Sequence, residues 1–220
     1  MGILTRLVAG IDEAGRGPVI GPMVIVGVLI EEERVHVLSE LGVKDSKKLS
    51  PMRREKLYPE ILREVRAHRI EVVDARAIDL QRRRKSLNTI EVEAMARIIS
   101  ELRPDQVQVG SIEIRTDRFR EKLLQRVKSP DIVSVHHAED LFPAVAAASI
   151  IAKVTRDRII DELRRKYGDF GSGYPSDPKT VEFLKGVVKS GEVPEIVRKT
   201  WETFQKILSF SLYNTQSDQY

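Results

Sequence analysis

Val8-Ala9-Gly10-Ile11-Asp12-Glu13-Ala14-Gly15-Arg16-Gly17-Pro18 ends an apolar run in two adjacent carboxylates and follows them with an arginine between two glycines. A second apolar run, Val19 to Ile30, comes directly after it. The first run has the aliphatic composition of a strand. Two charges at the end of a buried strand are expensive unless something offsets them, and a divalent cation held by carboxylate oxygens is the usual means. Gly15 and Gly17 let the backbone approach a ligand with no Cβ in the way. A β-turn carrying two solvated acids fits the same residues, so the stretch by itself leaves both readings open.

Outward from it, residues 7–11 and 23–30 are expected as consecutive strands, with further strands at 69–73, 106–109 and 132–135. Helices are expected at 33–41, from Pro51 to about 66 with Ser50 as N-cap, from Ser86 or Asn88 to about 102, and at 117–127, 178–190 and 194–208. Residues 144–151 are small and apolar on every side, whereas 153–166 are strongly charged. One long helix, buried in its first half and exposed in its second, accounts for both. Residues 76–85 are ambiguous, their basic run favouring an exposed loop or helix end, and the polar stretch 209–220 is expected to fray. Strands alternating with helices after an initial strand pair imply an α/β architecture around a mixed five-stranded sheet. Its first three strands form an antiparallel meander, and the later ones enter parallel through helical crossovers. Functional groups in such sheets gather at strand ends, where Asp12 and Glu13 stand.

Composition narrows the chemistry. The 220 residues include no cysteine, which removes disulfides, thiolate zinc sites and cysteine nucleophiles. There are 37 Lys+Arg against 33 Asp+Glu, so the net charge is only +4, and clustering matters more than the sum. Lys44/Lys47/Lys48, Arg53/Arg54, Arg82 to Lys85 and Lys153/Arg156/Arg158 are such clusters. Together they suit a nucleic-acid or phosphate partner, although each alone is what a solvated helix face carries. No stretch is long and apolar enough to span a membrane and the N-terminus has no signal-peptide core, so a cytoplasmic location is expected.

Four blocks then carry a family resemblance. They are Gly10 to Pro22, Asp45-Ser46-Lys47-Lys48-Leu49, Ala146 to Arg158 and Gly171-Ser172-Gly173-Tyr174-Pro175-Ser176-Asp177-Pro178. In this order the chain resembles ribonuclease HII, the type 2 ribonuclease H, in its archaeal style. The resemblance implies a ribonuclease H-like fold with a C-terminal helical extension: a catalytic core over 1–167, a helical substrate-binding part over 168–208 and a tail over 209–220. It implies a monomeric endonuclease that cuts RNA in RNA/DNA hybrids, or at ribonucleotides embedded in duplex DNA. Mg²⁺ or Mn²⁺ would assist, and the products would carry a 3′-hydroxyl and a 5′-phosphate. Asp12, Glu13 and Glu139 would be metal ligands, with Asp140 beside them in the catalytic set. Gly15, Arg16 and Gly17 would read the 2′-hydroxyl, the group that distinguishes RNA from DNA. Tyr174 would lie against the sugar and base at the junction. Lys47, Lys48, Lys153 and Arg156 would hold phosphates, and Ser149 would face substrate.

The chain also departs from the family pattern, in the acids. An aspartate is expected at the end of the fourth strand, but Val107-Gln108-Val109-Gly110-Ser111-Ile112-Glu113 has Gly110 there. A second is expected before the long helix, where Glu139 stands with Asp140 next to it. Glu113 reaching back, substrate and water filling the vacant positions, or reduced or lost activity are the competing consequences. The last keeps a non-catalytic binder of RNA/DNA junctions in play. His137 beside the acids is either a proton-transfer group or a turn residue. A sliding-clamp peptide is only weakly signalled: Gln205 and Leu208 match its start, but Ser211 and Leu212 replace its aromatics.

Overall fold

The computed structural model describes residues 5–44, 49–128 and 130–217, with side chains to Ser211. The described chain runs β1 (Leu7–Ala14), β2 (Met23–Glu31), a 3-10 turn (Glu32–Arg34), α1 (Val35–Glu40), α2 (Pro51–Glu64), β3 (Ala67–Val73), α3 (Ala75–Arg82), α4 (Leu87–Leu102), β4 (Gln106–Gly110) and α5 (Thr116–Leu124). It continues with β5 (Asp131–Val135), α6 (Ala138–Leu141), α7 (Pro143–Tyr167), α8 (Pro178–Ser190) and α9 (Glu202–Ser217). Its residues form two compact units. One comprises Met1–Ala14, Val24–Val72 and Ser86–Arg156, the other Gly15–Met23, Val73–Lys85 and Asp157–Tyr220. The second unit thus contains 168–208 together with two stretches from much earlier in the chain.

The first unit is built on a mixed five-stranded sheet of order β3-β2-β1-β4-β5. β1 is antiparallel to β2 and parallel to β4, and β4 is parallel to β5. β2 is buried along nearly its whole length, as a strand covered on both faces must be. Two glycines fix what covers it. A Cβ on Gly27 would meet Ile98 and Leu102 of α4 and the side chain of Ile11. A Cβ on Gly10 would fall within the backbone of Ala144 and Val145 in α7. Because neighbouring residues of a strand face opposite ways, α4 and α7 cover opposite faces of β1. Asp12 shares the face of Gly10, towards α7.

β1 does not stop at Ile11. It runs through both acids to Ala14, because β2 continues opposite it: Asp12 pairs with Val26, Glu13 with Ile25 and Ala14 with Val24. On the other side pairing ends at Ile11 and Val109. The acids are therefore held by one neighbour and released by the other.

In the second unit Val19, Ile20, Ile160, Phe170, Leu184 and Phe204 share a buried core. Here the basic stretch after β3 resolves as helix α3, capped by Asp74, whose carboxylate accepts from the Ala77 N–H at 2.6 Å. The helix expected from residue 194 begins only at Glu202. Asp79 of α3 explains the delay: it accepts from the backbone N–H groups of Lys199 (2.6 Å) and Thr200 (2.9 Å), bonds that a continuing helix would have kept for itself. α9 then runs on to Ser217 rather than fraying from Ser209.

Candidate active site

Asp12 is the focus of the first unit's site. Burial pushes its carboxyl well above the usual carboxylate range, and the neighbouring charges of Glu13 and Glu139 push the same way. A hydrogen bond from Ser149 opposes them. Ser149 sits in the apolar half of α7 and is 1% exposed. Its Oγ also accepts from Lys153 Nζ at 2.9 Å, one helical turn on. Lys153, Ser149 and Asp12 thus form one chain of donors and acceptors. Ser149, expected to face substrate, turns its hydroxyl to Asp12.

The residues before α7 bring further ligand atoms. His137, Glu139 and Asp140 each place one potential ligand atom within 4.8 Å of the others'. His137 adopts a left-handed conformation (φ 54°) at the N-cap of α6, which turns the chain from β5 into these acids. Asp12, Glu13 and Glu139 offer the hard oxygen donors that Mg²⁺ and Mn²⁺ prefer, and the desolvation of Asp12 leaves a concentration of acid that a cation relieves. By chemistry and charge, this donor set fits a divalent metal.

Gly110 ends β4, where extending the Ile11–Val109 register by one residue would bring it level with Asp12. A Cβ there meets nothing within 4 Å, so the position is open and not filled by a neighbour. Glu113 does not reach back to replace it. Its carboxylate is held by Lys122 Nζ and lies 3.5 Å from Asn88 Nδ2. Those partners keep it below the usual carboxylate range. Arg156, expected to hold a phosphate, is 6% exposed. Lys47 and Lys48 lie outside the described residues.

The remaining expected residues belong to the second unit, where the loop that follows Glu13 and Ala14 is fixed from below. Gly15 takes φ 86°, a conformation suited to glycine. The guanidinium of Arg198, fully buried, donates to the carbonyls of Gly15 (2.6 Å), Arg16 (3.1 Å) and Gly21 (2.9 Å). Trp201 Nε1 donates to the Gly17 carbonyl at 3.0 Å. Tyr174 stands over Gly17, its ring 3.6 Å from where a Cβ would lie, and is 42% exposed. Its loop is shaped by Gly171 and Gly173, both at positive φ, and by Thr180, whose Oγ1 accepts from the Gly173 N–H at 2.9 Å. The Gly173 carbonyl in turn accepts from Val19 and Ile20 N–H. Arg198 and Trp201 were not singled out by the sequence. Their one signal was the chain's single tryptophan in a stretch misread as helix.

A family model, Ribonuclease HII, matches residues 9–204. The chain belongs to the ribonuclease HII family. It is accordingly a ribonuclease H, a hydrolase of RNA in RNA/DNA hybrids. The Ribonuclease HII of Methanosarcina mazei is 47% identical over 212 residues, covering 91% of this chain and 96% of that protein. The crystal structure of the ribonuclease H2 from Pyrococcus horikoshii matches with a TM-score of 0.87 at 43% identity, over 92% of this chain and 97% of that one. The Archaeoglobus fulgidus RNase HII, in a structure of its complex with PCNA, matches with a TM-score of 0.84 at 44% identity, over 89% and 95%.

Proposed function

We propose that this ribonuclease HII cuts both RNA/DNA hybrids and single ribonucleotides embedded in duplex DNA, by metal-assisted hydrolysis that leaves a 3′-hydroxyl and a 5′-phosphate. The observation that carries the reading is the Asp12 carboxyl, half-buried beside Glu13 and Glu139 and hydrogen-bonded by Ser149. Asp12, Glu13 and Glu139 would hold Mg²⁺ or Mn²⁺. When bound, such ions supply an activated water and stabilise the leaving oxygen of an in-line displacement. Glu139 is favoured over Asp140 as the ligand because it is the less exposed of the two and acts on Asp12 directly.

The protein's own groups do the rest. Lys153 and Ser149 orient Asp12. The Arg16 and Gly17 backbone reads the ribose, and Tyr174, exposed over Gly17, offers a face for the sugar and base to pack on. Positioning of this kind sets where the phosphodiester is cut, with no reading of base sequence. With Gly110 in place of an acid, turnover is lower than the same site would give with a carboxylate there.

A duplex carrying one ribonucleotide, incubated in Mg²⁺ and then in Mn²⁺ beside an Asp12→Asn variant, tests this. Cutting by the parent protein and not by the variant is the expected result. Equal binding by both with no cutting by either would replace it with the second reading, a non-catalytic binder of RNA/DNA junctions, which the open position at Gly110 favours. Gln205 and Leu208, the start of the clamp-peptide match, are both engaged within the second unit: Gln205 Nε2 donates to the Lys199 carbonyl at 2.6 Å, and Leu208 packs on that unit's core. No helix among the described residues is long and apolar enough to cross a membrane.

A further inference from the structure

We propose that Arg198 and Trp201 are positioning residues that aim two backbone N–H groups, those of Arg16 and Gly17, at the ribose of the substrate. The inference rests on the reading above that the 15–17 loop meets the ribonucleotide. It adds what gives that loop its direction.

The geometry follows from peptide planarity. In a trans peptide the C=O and the N–H point opposite ways, and no cis peptide is present among the described residues. The Gly15–Arg16 peptide has its carbonyl on Arg198 Nη2 and the Arg16–Gly17 peptide has its carbonyl on Arg198 Nη1. The N–H groups of Arg16 and Gly17 therefore both point away from the buried guanidinium. The third peptide of the loop has its carbonyl on Trp201 Nε1, and its nitrogen belongs to Pro18, which has no hydrogen. Holding three carbonyls inward thus turns the N–H groups of Arg16 and Gly17 outward, and Gly17 is exposed. A fixed pair of amide donors suits a hydroxyl oxygen next to a phosphate.

Arginine is suited to this as lysine is not. Three carbonyls of two separate turns, at Gly15, Arg16 and Gly21, are bonded by three nitrogens of one rigid fork. A positive charge on the carbonyl side also polarises each peptide, which strengthens its N–H as a donor. Trp201 is itself held. The guanidinium carbons of Arg82 and Arg198 each lie 4.7 Å from its ring centroid. Asp79, three residues before Arg82, takes the N–H groups of Lys199 and Thr200 and the Thr200 hydroxyl. Helix α3 is in this way the foundation of the segment that clamps the loop.

The test is equilibrium binding, which does not depend on turnover. Fluorescence anisotropy compares a DNA duplex carrying one ribonucleotide with the same duplex in all-DNA form, and the ratio of the two Kd values measures preference for the 2′-hydroxyl. Trp201→Phe keeps an aromatic ring and loses the bond to Gly17. Arg198→Lys keeps the charge and loses the fork. Trp201→Phe is expected to lower the preference about threefold to tenfold, the effect of one neutral hydrogen bond, and Arg198→Lys by more, with all-DNA binding unchanged for both. Loss of folded protein would scale both affinities together and leave their ratio alone, so thermal melts of each variant accompany the titrations. Gly17→Ala is the control for the underlying reading. If it lowers the preference while the other two variants do not, the clamp is refuted and the loop reading stands. If Gly17→Ala leaves the preference unchanged, or the parent protein shows none, the loop reading fails and the clamp with it.

Discussion

Gly10 and Ala144 meet backbone to backbone: a Cβ on Gly10 would lie 2.1 Å from the carbonyl carbon of Ala144 and 2.3 Å from its oxygen. Both obstacles are main chain, so no side chain can rotate away. Gly10→Ala must push α7 off the sheet and is expected to destabilise the protein by about 3 kcal/mol or more, at or beyond the upper end for overpacking. Urea denaturation measures this, and a loss under about 1 kcal/mol would show that the helix is not seated there.

The same seating carries Ser149 to Asp12. Ser149→Ala removes a donor to the Asp12 carboxylate and an acceptor for Lys153, with only one oxygen lost from a buried site. Supporting hydrogen bonds behind metal ligands are worth about tenfold to a hundredfold in metal affinity or activity, and that range is expected here. Metal titration of cleavage rate on a hybrid substrate reads it, against a thermal midpoint that stays close to the parent value. Unaltered metal dependence would remove Ser149 from the site.

Gly110→Asp tests the departure from the family pattern directly. The side chain enters open space and no positive φ opposes it, so stability should hold within about 0.5 kcal/mol. Cleavage in Mg²⁺ is expected to rise by at least about tenfold, since one more carboxylate would share the cation charge. Rates equal to those of the parent would mean that position 110 has no part in the metal site.

Glu113 supplies a pH signature of the fold. Lys122 holds its carboxyl below the ordinary value of 4.5. A depressed folded pKa stabilises the protein at pH above the unfolded value. The contribution fades below about pH 5 and is gone once pH has fallen through the folded value. The pair is partly exposed, so its share is under about 1 kcal/mol. Glu113→Gln should therefore lower the urea midpoint more at pH 7 than at pH 4. An equal loss at both pH values would assign the effect to packing.

Much of the fold could be read from local pattern. Aliphatic runs marked the strands, and an all-round apolar segment leading into a charged one marked α7. Readings failed where a distant partner decided the outcome. β1 outlasts Ile11 because β2 continues beside the acids, and nothing within residues 7–14 announces that. Ser149 could be picked out of its alanine-rich helix, but its bond to Asp12 could not be read before the two were placed opposite each other. Arg156 looks like a surface cation and is buried. Arg198 was out of reach altogether, since its bond to the Gly15 carbonyl spans 183 positions and leaves no periodic trace. The acids could be picked out because two adjacent charges at the end of an apolar run are locally anomalous. The residues that orient them are not.

The span between Gly15 and Arg198 also sets an order of events at the ribosome. Residues 15–17 are made long before their anchors, Arg198 and Trp201: Gly15 and Arg198 are 183 positions apart. A nascent chain that stops short of residue 198 already contains every strand of the sheet, yet lacks the groups that fix the loop carbonyls. Closing so long a loop is slow, so the 15–17 carbonyls are anchored late, after the residues of every strand have been made. Fragments released early would be without the bonds from Arg198 and Trp201 that hold those carbonyls.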